Sequence, residues 1–283
     1  MIRVAAIQFS ASDDVAANIT AVSAAIRTAH AGGAGFIATP ENTNLMAASK
    51  AAKFDRVFAQ DDDPSLAALR ALAAELGIWL LLGSLAIKLS TDKVANRSFL
   101  ISPQGAIAAH YDKIHLYDVD LPNGEHYRES ATVAGGGLAV SADLPFGRIG
   151  LTICYDLRFP QLYRTLAQDG AVLLTAPAAF TAETGKAHWH VLVRARAIET
   201  GAFVIAPAQC GSHPGNRRTF GHSLIVSPWG EILAEAGDQP EVIFADVDPA
   251  VSAAVRAQIP SLNGRTFLLA PRNVCADDLG RKD

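Results

Sequence analysis

The chain alternates short apolar runs with stretches whose hydrophobic positions recur every three or four residues. Residues 3–9 (RVAAIQF), 36–39 (FIAT) and 78–87 (IWLLLGSLAI) are apolar runs of strand length. Between the first two, Ile19, Val22, Ile26 and Ala29 fall on one face of a helix over 16–30, closed by Gly32, Gly33 and Gly35. An Asp run that suits a helix N-terminus opens a second amphipathic helix over 64–76, and Gly77 breaks it before the next strand. Runs at 97–102 and 106–111, on either side of Pro103-Gln104-Gly105, predict a hairpin. Residues 112–136 are polar, rich in turn formers and without period, which predicts a long functional loop.

The second half repeats this rhythm. Strands are predicted over 148–154, 171–176, 203–209 and 242–247. Helices are predicted over 160–168, with Pro160 at the start, over 186–200 and over 249–257. Runs at 222–227 and 231–235 flank Pro228-Trp229-Gly230 as a hairpin. No linker, low-complexity tract or tandem repeat interrupts the pattern. Residues 1–283 therefore read as one α/β domain with pseudo-symmetric halves.

Composition narrows the class. Half of the 283 residues are hydrophobic and 18% are charged, which excludes a disordered chain. The longest apolar run is half the ~20 residues that a membrane span needs. The apolar start stops at Gln8, without the hydrophobic core of a secretory signal, so a cytoplasmic protein is expected. A net charge of −4 with no Lys/Arg block argues against a nucleic-acid partner. The three cysteines, Cys154, Cys210 and Cys275, are odd in number, far apart and lack a C-x-x-C pair. That argues against a disulfide framework or structural zinc.

Three residues carry candidate chemistry. Cys154 ends an apolar strand just before Tyr155-Asp156-Leu157-Arg158-Phe159-Pro160 and a helix, a placement that turns a nucleophile outward beside backbone N–H groups. Its alternative is a buried structural thiol. Glu41 follows Phe36-Ile37-Ala38-Thr39-Pro40. In apolar surroundings its pKa is expected to rise, which suits a proton shuttle, while a turn-capping carboxylate is the alternative. Lys113 follows the strand ending at Tyr111 and would steady an oxyanion, if it is not a solvated surface lysine. Together they place a nucleophile, a base and a cation beyond three apolar runs, as an acyl-transfer site requires. Competing readings are a cysteine–histidine hydrolase using His115, His126, His188, His190 or His222, a metal site built on His188-Trp189-His190, and an idle interaction module. The metal reading lacks carboxylate or thiol partners at ligand spacing. Asp156 and Arg158 are expected to pair and brace the turn, and Cys210 and Cys275 to be structural or incidental.

At these residues the sequence resembles the nitrilase superfamily of carbon–nitrogen hydrolases. Pro40-Glu41-Asn42 is similar to its glutamate motif, residues 111–119 (YDKIHLYDV) to its lysine motif, and residues 153–160 (ICYDLRFP) to its cysteine motif. Glu129 falls where that family has a second glutamate. The resemblance implies a four-layer αββα sandwich: two mixed sheets with helices outside. It also implies pairing into a homodimer or higher homo-oligomer, partly through a tail from about residue 258, and no metal or organic cofactor. It assigns the base to Glu41, the cation to Lys113 and the nucleophile to Cys154, acting on a small carboxylated amide that releases ammonia through a thioester. Residues 118–124, 187–189, 194–199 and 206–211 resemble the deaminated-glutathione amidase branch most, with ω-amidases next and nitrilases or N-carbamoyl hydrolases as wider alternatives. Tyr155 and Phe180 are expected to line the pocket, and Arg158, Arg194 and Arg217 are candidates for a substrate carboxylate.

Overall fold

The computed structural model describes residues 1–264. Two mixed sheets stack face to face, with helices covering each outer face. The first sheet runs in the order Glu241–Val247, Ile2–Gln8, Phe36–Ala38, Trp79–Lys88, Val94–Ile101, Ile107–Asp112, and Val133–Ala134 adds to Val94–Ala95. The second runs Ile232–Glu235, Leu224–Val226, Phe203–Ala206, Leu173–Thr175, Gly147–Leu151, Val140–Leu144. Each has three parallel central strands flanked by antiparallel ones. The helices fall between corresponding strands: α1 (Val15–Ala31), the short α2 (Lys50–Phe54) and α3 (Pro64–Leu76) in the first half, α4 (Pro160–Gln168) and α5 (Ala182–Thr200) in the second, with α6 (Pro249–Gln258) last. The two halves thus share one topology.

Side-chain alternation explains the layers. In the first strand Val4 and Ala6 face the second sheet, while Ala5 and Ile7 face Val22 and Ile26 of α1. Leu66, Leu69 and Leu72 of α3 close the same outer layer. Caps fix the helix ends. Asp14 and Asp63 accept from Ala17 N–H (3.0 Å) and Leu66 N–H (2.8 Å), and Gly77 and Gly201 end α3 and α5 in the left-handed region.

Three expectations needed correction. The helix predicted from 186 begins at Ala182, because Thr181 caps it before any apolar stripe appears. The strand predicted over 148–154 stops at Leu151. Cys154, at φ 50°, instead opens a 3-10 turn, Cys154–Arg158. The long loop holds a small hairpin, Asp118–Asp120 with His126–Arg128, in strands too short to show a period. At the start of the expected tail, the carbonyls of Ser261, Leu262 and Gly264 accept from Arg164. The rest of that tail, with Cys275, lies outside the described residues.

One close approach positions the site. The loop after Thr39 lies over a bulge in Trp79–Lys88. Gly83 N–H donates to Thr39 Oγ1 (3.1 Å), and Asn42 N–H donates to Ser84 Oγ (2.9 Å). A Cβ on Gly83 would sit 2.6 Å from the Pro40 carbonyl oxygen and closer still to that of Thr39. Gly83→Ala is therefore expected to lose about 1–3 kcal/mol of stability in denaturant unfolding. It should also displace Glu41, next in the chain.

Candidate active site

Glu41, Lys113 and Cys154 leave three different strand ends and meet at one cavity of about 210 Å³. Glu129, Tyr155, Arg158 and Phe180 line it too, so all seven expected residues share one wall. Among the described residues no histidine lines it, which leaves the cysteine–histidine reading without a base.

Lys113 is the centre of the charge network. Its Nζ donates to Glu41 Oε1 at 2.8 Å and to Glu129 Oε2 at 2.9 Å, and its side chain is only 2% exposed. Burial alone would pull the ammonium's pKa down, but the carboxylates of Glu129 and Glu41 outweigh it and hold the pKa well above the usual lysine range. Asn96 ties the carboxylates together, donating Nδ2 to Glu41 Oε1 (2.8 Å) and to Glu129 Oε1 (3.0 Å). Glu129 Oε2 also accepts from Tyr117 N–H at 2.7 Å.

The expected rise in the Glu41 pKa is reversed. Burial does push this carboxyl up, but Lys113, with smaller help from Arg217, brings it below the ordinary glutamate value. The Cys154 thiol moves the other way. Burial first, then the Glu41 charge, raise it well above the cysteine range, against the opposing pull of Lys113 and the Ala179 N–H. At neutral pH the pair is therefore a neutral thiol facing a charged carboxylate.

The cysteine turn is held by Asp156, though not through the expected ion pair with Arg158. Asp156 is fully buried and accepts from Tyr111 Oη (2.7 Å), Ile153 N–H (2.8 Å), His115 N–H (3.0 Å) and His115 Nδ1 (2.7 Å). Tyr111 and His115 bracket Lys113, and Ile153 precedes Cys154. One carboxylate thus binds the lysine segment to the cysteine turn. The His115 ring stacks on Phe159 at 3.6 Å, which braces the clasp from outside.

Arg158 instead reaches the cavity, lying over Phe180 (5.4 Å) and Tyr155 (5.9 Å) with His188 Nδ1 at 3.2 Å. Arg194 points away, donating to Gly230 O, and does not line the cavity. Arg217 does: it donates to Ala179 O (3.0 Å), lies over Tyr127, and leaves its buried Nε without a partner among the described residues. Asn96 Oδ1 is likewise buried and unpartnered.

Sequence reasoning missed Asn96, Lys53 and Tyr117. Asn96 sits inside a strand, where only its buried polar register could have marked it. Lys53, on α2, donates to Thr132 Oγ1 (3.2 Å). Its pKa is lowered chiefly by burial.

A model of the family described as carbon–nitrogen hydrolase matches residues 3–257. The chain belongs to this family. The deaminated glutathione amidase of Synechocystis is 47% identical over 204 residues, covering 71% of this chain and 75% of that protein. That of Yersinia enterocolitica is 36% identical over 95% of this chain and 96% of its own length. The crystal structure of the C. elegans NitFhit protein superposes with a TM-score of 0.87 at 33% identity, covering 93% of this chain and 65% of that one. For this carbon–nitrogen hydrolase, the fold and charge network above therefore sit in a hydrolase frame.

Asp156→Asn would turn an NH₂ group toward donors that now face a carboxylate. It is expected to cost about 3 kcal/mol in denaturant unfolding. It should also raise the temperature factors of both Lys113 and Cys154 in a crystal structure of the variant.

Proposed function

We propose that this carbon–nitrogen hydrolase is an amidase acting on deaminated glutathione, with Cys154 as nucleophile, Glu41 as base and Lys113 as oxyanion cation. The observation that carries the reading is one buried ammonium shared by two carboxylates beside a thiol in a single cavity. Relatives named deaminated glutathione amidase support the substrate.

The chemistry follows from the charges. Glu41 takes the Cys154 proton as the sulfur attacks the amide carbon, so negative charge passes from carboxylate to sulfur and then to the carbonyl oxygen. Lys113 receives that oxyanion. The Tyr155 N–H lies in the first turn of a 3-10 helix, where backbone donors lack intrahelical partners, and would be the second donor to the oxyanion. Protonated Glu41 returns its proton to the leaving nitrogen, ammonia departs and a thioester remains. Glu41 then takes a proton from water, hydroxide opens the thioester, and the thiol is restored as the acid product leaves. Glu129 holds Lys113 in place and keeps it charged.

Five cationic residues line the cavity, Lys53, Lys113, Arg128, Arg158 and Arg217, against Glu41 and Glu129. Lys113 and Arg128 are engaged by carboxylates, Arg128 by Asp120 outside the cavity, so Lys53, Arg158 and Arg217 remain for a carboxylated acyl group. The exposed Val191, Ile198 and Trp229 offer apolar surface for the homodimer that the family resemblance implies.

Ammonia release from deaminated glutathione, α-ketoglutaramate, simple nitriles and N-carbamoyl amino acids tests the substrate. Deaminated glutathione should show the highest kcat/KM. Preference for α-ketoglutaramate would make the protein an ω-amidase, and preference for either of the last two would remove the amidase reading. Cys154→Ala should lower kcat by about four powers of ten or more, and an unchanged rate would exclude the mechanism.

The pKa directions fix the pH dependence. Catalysis needs Glu41 ionised, and its lowered pKa keeps it so well into the acid range. The thiol and the ammonium, both raised, keep their protons into the alkaline range. The profile of kcat/KM should therefore be flat from about pH 6 to 9, with an acid limb below the ordinary carboxylate value. Replacing Lys113 with Met should move that acid limb upward, because burial of Glu41 would then be opposed only by the smaller pulls of Arg217 and the Cys154 thiol.

A further inference from the structure

On the outer face of the second half, three side chains from distant segments converge away from the cavity. His190 projects from α5, His222 precedes the strand Leu224–Val226, and Glu235 ends the strand Ile232–Glu235. None of them lines the cavity. We propose that His190, His222 and Glu235 form a binding site for a divalent transition metal of the zinc class.

The geometry fits such an ion closely. Glu235 Oε1 lies 2.8 Å from His190 Nε2 and 3.0 Å from His222 Nδ1, and one ligand atom from each residue falls within 4.8 Å of the others. Tetrahedral zinc with ligand bonds of about 2.0–2.1 Å spaces its neighbouring ligands roughly 3.3 Å apart. Opening the two contacts to Glu235 by a few tenths of an ångström and rotating the imidazoles inward from a separation of no more than 4.8 Å would admit an ion, with a coordination position left open to water. Two imidazoles and one carboxylate select this class over calcium or magnesium, which prefer all-oxygen shells.

The surroundings resemble a ligand shell more than a chance surface pairing. His222 turns Nδ1 toward the site and Nε2 toward Asp238 Oδ1, 3.2 Å away. A carboxylate behind the second ring nitrogen is what orients metal-bound histidines and fixes their tautomer. The His222 ring is stacked on Phe220 at 4.4 Å. Its backbone sits at φ 54°, uncommon for a residue with a side chain, and Trp189 Nε1 donates to its carbonyl at 2.6 Å. Trp189 adjoins His190, so this hydrogen bond fixes the spacing between the two imidazoles. The metal reading of the sequence named His190 but paired it with His188, because Glu235 lies 45 residues from His190 and 13 from His222, outside any ligand spacing.

Zinc titration of the full chain by calorimetry tests the proposal, run on the parent and on Cys154→Ala so that the cavity thiol cannot supply the signal. One equivalent should bind in both. Glu235→Gln and His190→Asn should each weaken binding at least 100-fold, and Asp238→Asn about 10- to 100-fold. Each variant's metal-free melting temperature reports its fold, and zinc should raise that temperature in the parent and in Cys154→Ala but not in Glu235→Gln or His190→Asn. Cobalt(II) should give a tetrahedral visible spectrum without a thiolate charge-transfer band. Three results would overturn the site: no binding up to about 1 mM zinc, variants that bind as the parent does, or a thiolate band that moves the metal to a cysteine. In the first case the three residues are only an ion-free hydrogen-bonded cluster.

Discussion

The buried ammonium of Lys113 is the constraint around which the rest is arranged. A carboxylate as enclosed as Glu41 would ordinarily protonate rather than stay charged without water. Lys113 keeps it ionised, and Glu129 with the Asn96 amide keeps Lys113 in place. The cluster carries two negative charges and one positive, so a further charge on sulfur is unfavourable and the Cys154 thiol rests neutral. Moving its proton to Glu41 leaves the cluster's net charge unchanged. The negative charge shifts from oxygen to sulfur while the same ammonium stands beside both. On the proposed mechanism, such an arrangement would stabilise the attacking state without a charged nucleophile at rest.

That economy depends on rigid supports. Each of the three groups lies just past a strand end, and each exit is fastened by buried hydrogen bonds rather than left as a free loop. The Glu41 turn is tied to the bulge at Gly83 and Ser84, and Gln209 Nε2 donates to its backbone carbonyl at 2.9 Å. Asp156 joins the other two exits through Tyr111, His115 and Ile153. Two sheets with the same topology present their strand ends side by side, so one half supplies Glu41 and Lys113 and the other Cys154.

Much of this was legible in the sequence, for identifiable reasons. Helices such as α3 and α4 showed clear starts and ends because Pro64 and Pro160 open them. Runs such as 78–87 announced buried strands by apolar character alone. Boundaries failed where a local geometry outranked hydrophobicity. The strand before Cys154 ends early because the chain turns there with Cys154 at positive φ, and α5 starts early because Thr181 caps it. The triad's residue types and its resemblance to a known family were readable. Their protonation was not: the shift of Glu41 comes from Lys113, 72 positions away, and no local pattern encodes that neighbour. The same holds for Asp156, whose nearest charged residue in the sequence, Arg158, is not the one it meets.

The distribution of cations in the cavity bears on why a hydrolase would choose an acidic amide. In the inner cluster Lys113 already holds both Glu41 and Glu129, and Arg217 adds only a smaller pull on Glu41. Yet Arg158 lies over Phe180 and Tyr155, Lys53 reaches only Thr132 Oγ1, and Arg217 keeps a buried Nε unpartnered. A buried donor without a partner costs free energy that a bound acceptor would recover. Carboxylates on the acyl group would supply such acceptors at a distance from the scissile bond. Binding energy gained there can orient the amide carbon over Cys154, which is where remote contacts raise the rate rather than only the affinity. On the proposed reading, a neutral amide of the same length would leave Arg217 Nε unpaired, so the cavity wall would favour an acidic acyl group.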